Sequence, residues 1–291
     1  MAQFIISAFA DESSDLLDGQ IAALKRNGLC MIEPRSIEGN MVKKTDEELV
    51  AIAAELKKNG ISVSSLGSPI GKYSIDEPFE IHLAEFERAL AACRILGTDK
   101  MRIFSFFVPQ DRLSECRDEV LRRMQVLLDM AKKAGVKLCH ENEHKIYGQN
   151  PSEVTDLLAS LPELRGIFDA ANYVLDHQDP IKGYEATAPS FEYMHVKDAK
   201  TDGTIVPVGM GDGRYDEVLT RVDALTDRTV ILTVEPHLKK FTGYASIDSR
   251  DMKHDLHFEN SEESFDFAIN SLKKMLTSLG YHEEENHVWK K

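Results

Sequence analysis

The stretch Met-Ala-Lys-Lys-Ala-Gly-Val-Lys-Leu-Cys-His-Glu, residues 130–141, carries the pattern that decides the fold. Its lysines suit the carboxyl end of a helix, its glycine can adopt the left-handed conformation that ends a helix, and the apolar residues that follow predict a buried strand. The same unit recurs around Gly28, Gly60 and Gly97. A chain that repeats helix, glycine and strand predicts parallel strands joined by helices.

Eight short apolar runs are predicted to be the strands of this sheet. They lie near residues 4–9, 29–34, 61–66, 101–106, 136–141, 165–169, 191–196 and 229–235. Short continuous apolar runs are typical of parallel strands that helices cover on the outside. The 291 residues suit one (β/α)8 TIM barrel as a single domain over residues 1–280, followed by a charged, loosely held tail over residues 281–291. An open doubly wound sheet is the alternative, and eight near-equal units favour closure.

The composition weighs against two classes of partner. The formal net charge is -14, whereas duplex nucleic acid or an anionic membrane normally requires a basic face. No apolar run approaches the roughly 20 residues that a membrane-spanning helix needs. The four cysteines form no C-x-x-C pair and are scattered among apolar neighbours. Such cysteines are typical of buried, reduced thiols, so we expect a cytoplasmic protein.

Four consecutive predicted strands end at side chains that can bind a metal ion: Glu141, Asp169, His195 and Glu235. Catalytic groups of such a barrel lie at the carboxyl ends of its strands, so these side chains are expected to meet. Three carboxylates and one imidazole suit one divalent ion, Mn²⁺ first and Mg²⁺, Co²⁺ or Zn²⁺ as alternatives. A dication would also offset the mutual repulsion of the carboxylates.

Five further residues near strand ends are candidates for binding a substrate: Lys197, His237, Glu33, Arg35 and Asn172. Lys197 is expected either to bind an oxyanion or to pair with Asp198. Glu33 and Arg35 are expected to hold substrate hydroxyls or to form a structural ion pair. His237 is expected to hold a hydroxyl or to support a metal ligand.

Several motifs resemble the xylose-isomerase-like TIM barrel superfamily of sugar phosphate isomerases and epimerases. They are Cys-His-Glu141-Asn, Phe-Asp169-Ala-Ala-Asn172, His195-Val-Lys-Asp198, Val-Pro207-Val-Gly209-Met-Gly211-Asp-Gly213 and Val-Glu235-Pro-His237. The resemblance implies a single-metal site and a small sugar or sugar phosphate as substrate. It also implies that Glu141 and Glu235 act as an acid/base pair through an enediolate, with the metal ion as Lewis acid.

Two positions depart from the epimerases of this superfamily. Asn172 stands where they often carry histidine, and Thr201 stands where they often carry arginine. Because the substrate-binding residues of those epimerases are not reproduced at these two positions, two alternatives remain open. They are a metal-dependent polyol dehydratase and a non-catalytic sugar-binding barrel.

A repair nuclease related to endonuclease IV shares this barrel but is disfavoured. It requires further histidines for a three-metal cluster and a basic footprint for DNA. The resemblance leaves a homo-oligomer open, and no nucleic acid or membrane partner is expected.

Overall fold

The computed structural model describes residues 1–240 and 253–291. The strands are β1 (Gln3–Ala8), β2 (Met31–Ile32), β3 (Ser62–Val63), β4 (Leu66–Gly67), β5 (Lys100–Ile103), β6 (Lys137–Glu141), β7 (Arg165–Asp169), β8 (Phe191–Val196), β9 (Asp198–Ala199), β10 (Thr204–Val206), β11 (Thr229–Val234), β12 (Lys253–His254), β13 (His282–Glu283) and β14 (Val288–Lys290). Each of the eight predicted strand regions overlaps an observed strand of the barrel, and β3 and β4 are two pieces of the third.

The barrel closes because its first strand pairs with its last. β1 runs parallel to β11 over six residue pairs, and β4 to β8 follow one another in the ring. Two backbone hydrogen bonds complete the circuit, from Glu33 N to Ala8 O at 3.1 Å and from Gly67 N to Pro34 O at 3.0 Å. The prediction of a (β/α)8 barrel is confirmed, and the open sheet is excluded.

Helices cover the outside of the ring. They are α1 (Leu17–Arg26), α2 (Asp46–Lys58), α3 (Phe79–Leu96), α4 (Leu113–Ala134), α5 (Pro151–Ser160), α6 (Ala170–Leu175), α7 (Pro180–Thr187), α8 (Tyr215–Leu225) and α9 (Ser261–Ser278). α4 ends at Gly135, whose φ of 71° is the left-handed conformation expected from the sequence. Among the described residues, no helix is both long and apolar enough to cross a membrane.

The last eleven residues differ from the loosely held tail that the sequence predicted. β13 and β14 form an antiparallel hairpin, and β14 pairs with β1, where Trp289 stands opposite Phe4. The Trp289 side chain belongs to the main apolar core. Burial of this large indole therefore ties the charged segment to the amino end of the barrel.

The glycine-rich turn after β10 holds a carboxylate of the protein itself. The backbone N–H groups of Gly209 and Gly211 donate to Asp198 Oδ2 at 2.9 and 3.0 Å, and that of Gly213 donates to Asp198 Oδ1 at 3.0 Å. A β-carbon on Gly211 would lie 2.3 Å from Asp198 Oδ1, so the close approach requires glycine there. The turn fixes the backbone that directly follows Lys197.

Candidate metal centre

Four side chains from neighbouring strands converge inside the carboxyl end of the barrel. Glu141 ends β6, Asp169 ends β7, His195 lies in β8 and Glu235 directly follows β11. Each offers a ligand atom, and these atoms all lie within 4.8 Å of one another. The four side chains, which we call the quartet, are buried. The structure therefore brings together the four candidate ligands.

Asp169 and His195 each use one polar atom for a contact within the protein and direct the other toward the quartet. Asp169 Oδ1 accepts a hydrogen bond from Asn172 N at 3.1 Å, and His195 Nε2 lies 3.3 Å from Glu33 Oε1. The remaining atoms, Asp169 Oδ2 and His195 Nδ1, are buried without a hydrogen-bond partner among the described residues. Buried polar atoms normally have such a partner. These two atoms have charged neighbours, Lys197 and Glu141, but make no hydrogen bond to the described residues, so the donor set fits a divalent cation.

Charge crowding shifts the pKa values of the quartet in different directions. Burial raises the pKa of Asp169 to about 7, with Glu141 and Glu235 adding to the rise and Lys197 opposing it. The pKa of His195 is raised to about 10, because the carboxylates of Glu141 and Glu33 outweigh the opposing effect of burial. A proton on His195 thus partly fills the role that a metal ion would take.

The Lys197 side chain contacts two members of the quartet. Its ammonium lies 3.1 Å from Glu235 Oε2 and 3.3 Å from Asp169 Oδ2. The alternative pairing with Asp198 is not made, because the glycine-rich turn already holds that carboxylate. These contacts hold the pKa of Glu235 well below its usual range although burial opposes this.

Each of the two glutamates of the quartet forms an ion pair with an arginine. Arg35 Nη1 lies 2.7 Å from Glu235 Oε1, and the same guanidinium pairs with Asp11 at 2.9 Å. Arg102 Nη1 lies 3.4 Å from Glu141 Oε2. The predicted ion pair of Arg35 therefore exists, with Asp11, Glu12 and Glu235 as its carboxylates.

Glu33 lies behind His195 in the barrel interior and is fully buried. Its Oε1 accepts a hydrogen bond from the Tyr193 hydroxyl at 2.8 Å, and its Oε2 accepts one from the Thr233 hydroxyl at 2.8 Å. With the His195 contact, both oxygens of Glu33 are engaged by the protein. This position suits a residue that orients a ligand rather than one that contacts a substrate.

The two remaining substrate candidates also contact the site's surroundings. Asn172 donates from its side-chain amide to Asn142 O at 2.9 Å. His237 Nε2 lies 3.4 Å from both Glu12 Oε1 and Glu235 Oε1. Burial holds the pKa of His237 well below its usual range, so its imidazole is neutral at pH 7.

Sequence reasoning missed three charged residues of the site. Two of them, Asp11 and Glu12, lie just after a predicted strand, which is the same signal that identified the quartet. Asp11 and Glu12 follow β1 at the same end of the barrel as the quartet. Burial raises the pKa of Glu12 to about 8, although Arg35 opposes the rise. Arg102 lies within the apolar strand β5, and a charge there indicates a buried partner.

The comparisons with known proteins agree with this architecture. The chain belongs to the xylose isomerase-like TIM barrel family, whose model matches residues 21–271. No curated protein sequence matches the chain.

Several solved structures share the fold. One is the probable 3-DHS dehydratase AsbF from Bacillus anthracis, with 15% identity, a TM-score of 0.71, and coverage of 94% of this chain and 99% of that one. Another is a D-allulose 3-epimerase from Methylomonas sp., with 16% identity, a TM-score of 0.71, and coverage of 94% and 100%. A third is the IOLI protein with a bound zinc atom, with 14% identity, a TM-score of 0.73, and coverage of 94% and 98%. At these identities the likeness shows the fold.

Proposed function

We propose that this protein is a divalent-metal-dependent isomerase or epimerase of a small sugar or sugar phosphate. The observation that carries the proposal is the buried quartet, with ligand atoms on Asp169 and His195 that lack a hydrogen-bond partner among the described residues. Glu141, Asp169, His195 and Glu235 would hold the ion, and the oxygen-rich set favours Mn²⁺, with Mg²⁺, Co²⁺ or Zn²⁺ as alternatives. The solved relatives include an epimerase and a zinc-bound protein, which supports this class of chemistry.

Glu141 and Glu235 are the proposed acid/base pair. When bound, the metal ion supplies Lewis acidity at a substrate oxygen next to the reacting carbon. One glutamate removes a proton from that carbon, and the other returns a proton from the opposite face, as inversion requires. Arg35 and Lys197 favour the ionised form of Glu235, which is the form that accepts a proton. Burial of the pair keeps bulk water from the reacting carbon.

The proposal is tested by following proton exchange. The protein is loaded with Mn²⁺ and incubated in D₂O with D-fructose, D-ribulose and their phosphate esters, and NMR detects deuterium next to the carbonyl and any new isomer. We expect Glu141→Gln and Glu235→Gln to lower the exchange rate at least about 100-fold, because general acid/base groups contribute that much or more.

A matched control is Glu163→Gln, since Glu163 is an exposed glutamate whose partner is Lys132. It should leave the exchange rate unchanged. Unchanged exchange in Glu235→Gln would remove that residue from the mechanism. Sugar binding without exchange in the loaded wild type would instead identify a non-catalytic sugar-binding barrel.

A metal-dependent dehydratase is the second candidate, and the position of Lys197 favours it. An ammonium 3.1 Å from Glu235 Oε2 can stabilise the charge that develops on a hydroxyl as it leaves. One glutamate takes the proton from the neighbouring carbon, and the other supplies the proton with which the hydroxyl departs as water. The product would lack one water, so mass spectrometry of the same incubations separates elimination from isomerisation.

A further inference from the structure

Three residues at the carboxyl end of the barrel are joined in a closed ring of hydrogen bonds. The side-chain amide of Asn142 makes two bonds to the main chain of Asp169. Its Nδ2 donates to Asp169 O at 3.0 Å, and its Oδ1 accepts from Asp169 N at 3.0 Å. Asp169 Oδ1 accepts from Asn172 N at 3.1 Å, and Asn172 Nδ2 donates to Asn142 O at 2.9 Å. The side chain of each residue thus bonds to the main chain of another, and we call Asn142, Asp169 and Asn172 the Asn–Asp–Asn ring.

The amide of Asn142 continues the pairing of β6 with β7 beyond the end of their ladder. The last paired residues of that ladder are Glu141 and Ile167, so Asp169 lies two residues further along the chain. A carboxamide presents a donor and an acceptor side by side, as a peptide group does. Asn142 therefore binds the main chain of Asp169 in the manner of a neighbouring strand.

The Asn–Asp–Asn ring connects two members of the quartet that stand on adjacent strands. Asn142 directly follows Glu141 in the chain, and Asp169 is itself a proposed ligand. The bond from Asn172 N fixes the rotation of the Asp169 carboxylate, whose other oxygen faces Lys197 Nζ at 3.3 Å. The ring thus sets both the separation of the two strand ends and the orientation of one carboxylate.

Burial makes these bonds hard to replace. Asn142, Asp169 and Asn172 are each at most 2% exposed, so the loss of one bond leaves a polar group buried without its partner. A divalent ion binds carboxylate oxygens within a narrow range of distances, roughly 2.0–2.6 Å. Ligands that are already held at the right separation need no reordering when the ion enters, and this favours binding.

We propose that Asn142 is a positioning residue of the metal centre, which holds Asp169 at the separation from Glu141 that a divalent ion requires. The inference rests on the proposed function, since it assigns a role toward the ion that the quartet would hold. Asn142 acts through the main chain of Asp169 and is not itself a ligand. Asn172, which the sequence indicated as a substrate contact, supports Asn142 in this role.

The first test measures metal affinity. The protein is stripped with EDTA, and calorimetric titration with Mn²⁺ compares the wild type with Asn142→Ala. We expect the dissociation constant to rise about 10–100-fold, as it does when a residue that orients a ligand is removed.

The matched control is Thr187→Ala, which also removes a buried hydrogen bond, from Thr187 Oγ1 to Gly183 O at 3.0 Å. Thr187 packs against Gly166 near the start of β7, at the opposite end of that strand from Asp169. This variant should lower the stability of the protein but leave the affinity for Mn²⁺ within about twofold of the wild type.

The second test reports the coordination geometry, which a loss of stability alone would not change. Co²⁺ replaces Mn²⁺, and its visible absorption depends on the number and arrangement of its ligands. At saturating Co²⁺ we expect Asn142→Ala to change the positions and intensities of the absorption bands, and Thr187→Ala to reproduce the wild-type spectrum. If Asn142→Ala does not fold, Asn142→Gln takes its place, because it keeps the amide but displaces it by one methylene group.

The outcomes separate the inference from the proposed function. An unchanged affinity for Mn²⁺ or an unchanged Co²⁺ spectrum in the folded Asn142 variant overturns the inference. An equal loss of affinity in Thr187→Ala also overturns it, because the Asn–Asp–Asn ring would then matter only for stability. If the wild type takes up no metal ion, the proposed function fails before any variant is measured.

Discussion

His195 uses its two ring nitrogens differently, and this asymmetry is what makes it a metal-ligand candidate. Nε2 faces Glu33 at 3.3 Å, while Nδ1 points into the quartet, 2.9 Å from Glu141 Oε1 but without hydrogen-bond geometry. A carboxylate behind a histidine fixes the orientation of the ring and strengthens it as a ligand. Glu33 would thus act through His195 on the metal ion that we propose.

Glu33→Gln should weaken binding of Mn²⁺ by about 10–100-fold, because one amide oxygen cannot replace two carboxylate oxygens that face three partners. Calorimetric titration of Mn²⁺ into the stripped protein measures the change. Ser65→Ala is the matched control, since Ser65 lies 3.0 Å from the same Tyr193 hydroxyl without contacting His195. Equal losses of affinity in both variants would mean that the network matters only for packing.

At the scale of elements, the C-terminal hairpin and the glycine-rich turn lie outside the repeated strand–helix units, and each fixes the backbone of one barrel strand. The hairpin of β13 and β14 adds to β1 beside the amino end of the ring. The turn at Gly209–Gly213 binds Asp198 and so fixes the end of β8, where Lys197 follows. Both elements act by immobilising backbone that strands of a few residues would hold weakly.

Trp289→Ala should lower the free energy of unfolding by about 3–5 kcal/mol, because it removes a large buried side chain and leaves a cavity in the apolar core to which that side chain belongs. Urea denaturation followed by circular dichroism measures the change. The exposed His282 in the same hairpin provides the control, and His282→Ala should change stability by less than about 0.5 kcal/mol. A loss below about 1 kcal/mol in Trp289→Ala would show that the hairpin contributes little to the fold.

At the scale of the whole molecule, closure of the ring concentrates acidic groups in one buried place. The quartet draws its members from four strands of the ring, which closes through β1 against β11. In addition, Glu12, Glu33 and Asp11 lie within the same end of the barrel and are buried. Cations must accompany such a cluster in the folded protein, and the metal ion that we propose joins Arg35, Arg102 and Lys197 in that role.

A metal ion that binds only the folded barrel should stabilise it. Mn²⁺ at one hundred times its dissociation constant should raise the free energy of unfolding by about 2.7 kcal/mol, and EDTA should reverse the gain. Thermal unfolding with and without Mn²⁺ measures the effect. Asp169→Asn should abolish it, whereas Asp118→Asn, on the exposed face of α4, should retain it. If Mn²⁺ stabilised Asp169→Asn as much as it stabilises the wild type, the ion would bind at another site.

The sequence by itself determined the repeat, the eight strands and the strand ends at which the quartet stands. These features follow from local rules, since helix endings, apolar runs and strand direction depend on residues close together in the chain. The same rules also pointed to Lys197 and Arg35 as members of the site.

Only the tertiary structure decided which charges meet. Arg35 and Glu235 are 200 residues apart, as are Glu33 and Thr233, and closure of the barrel is what brings each pair into contact. The pairing of Lys197 with Asp169 and Glu235, the capture of Asp198 by three glycines and the burial of Trp289 have the same origin. An ion pair depends on the distance and burial of its atoms, and for residues on different strands these quantities exist only after the ring has closed.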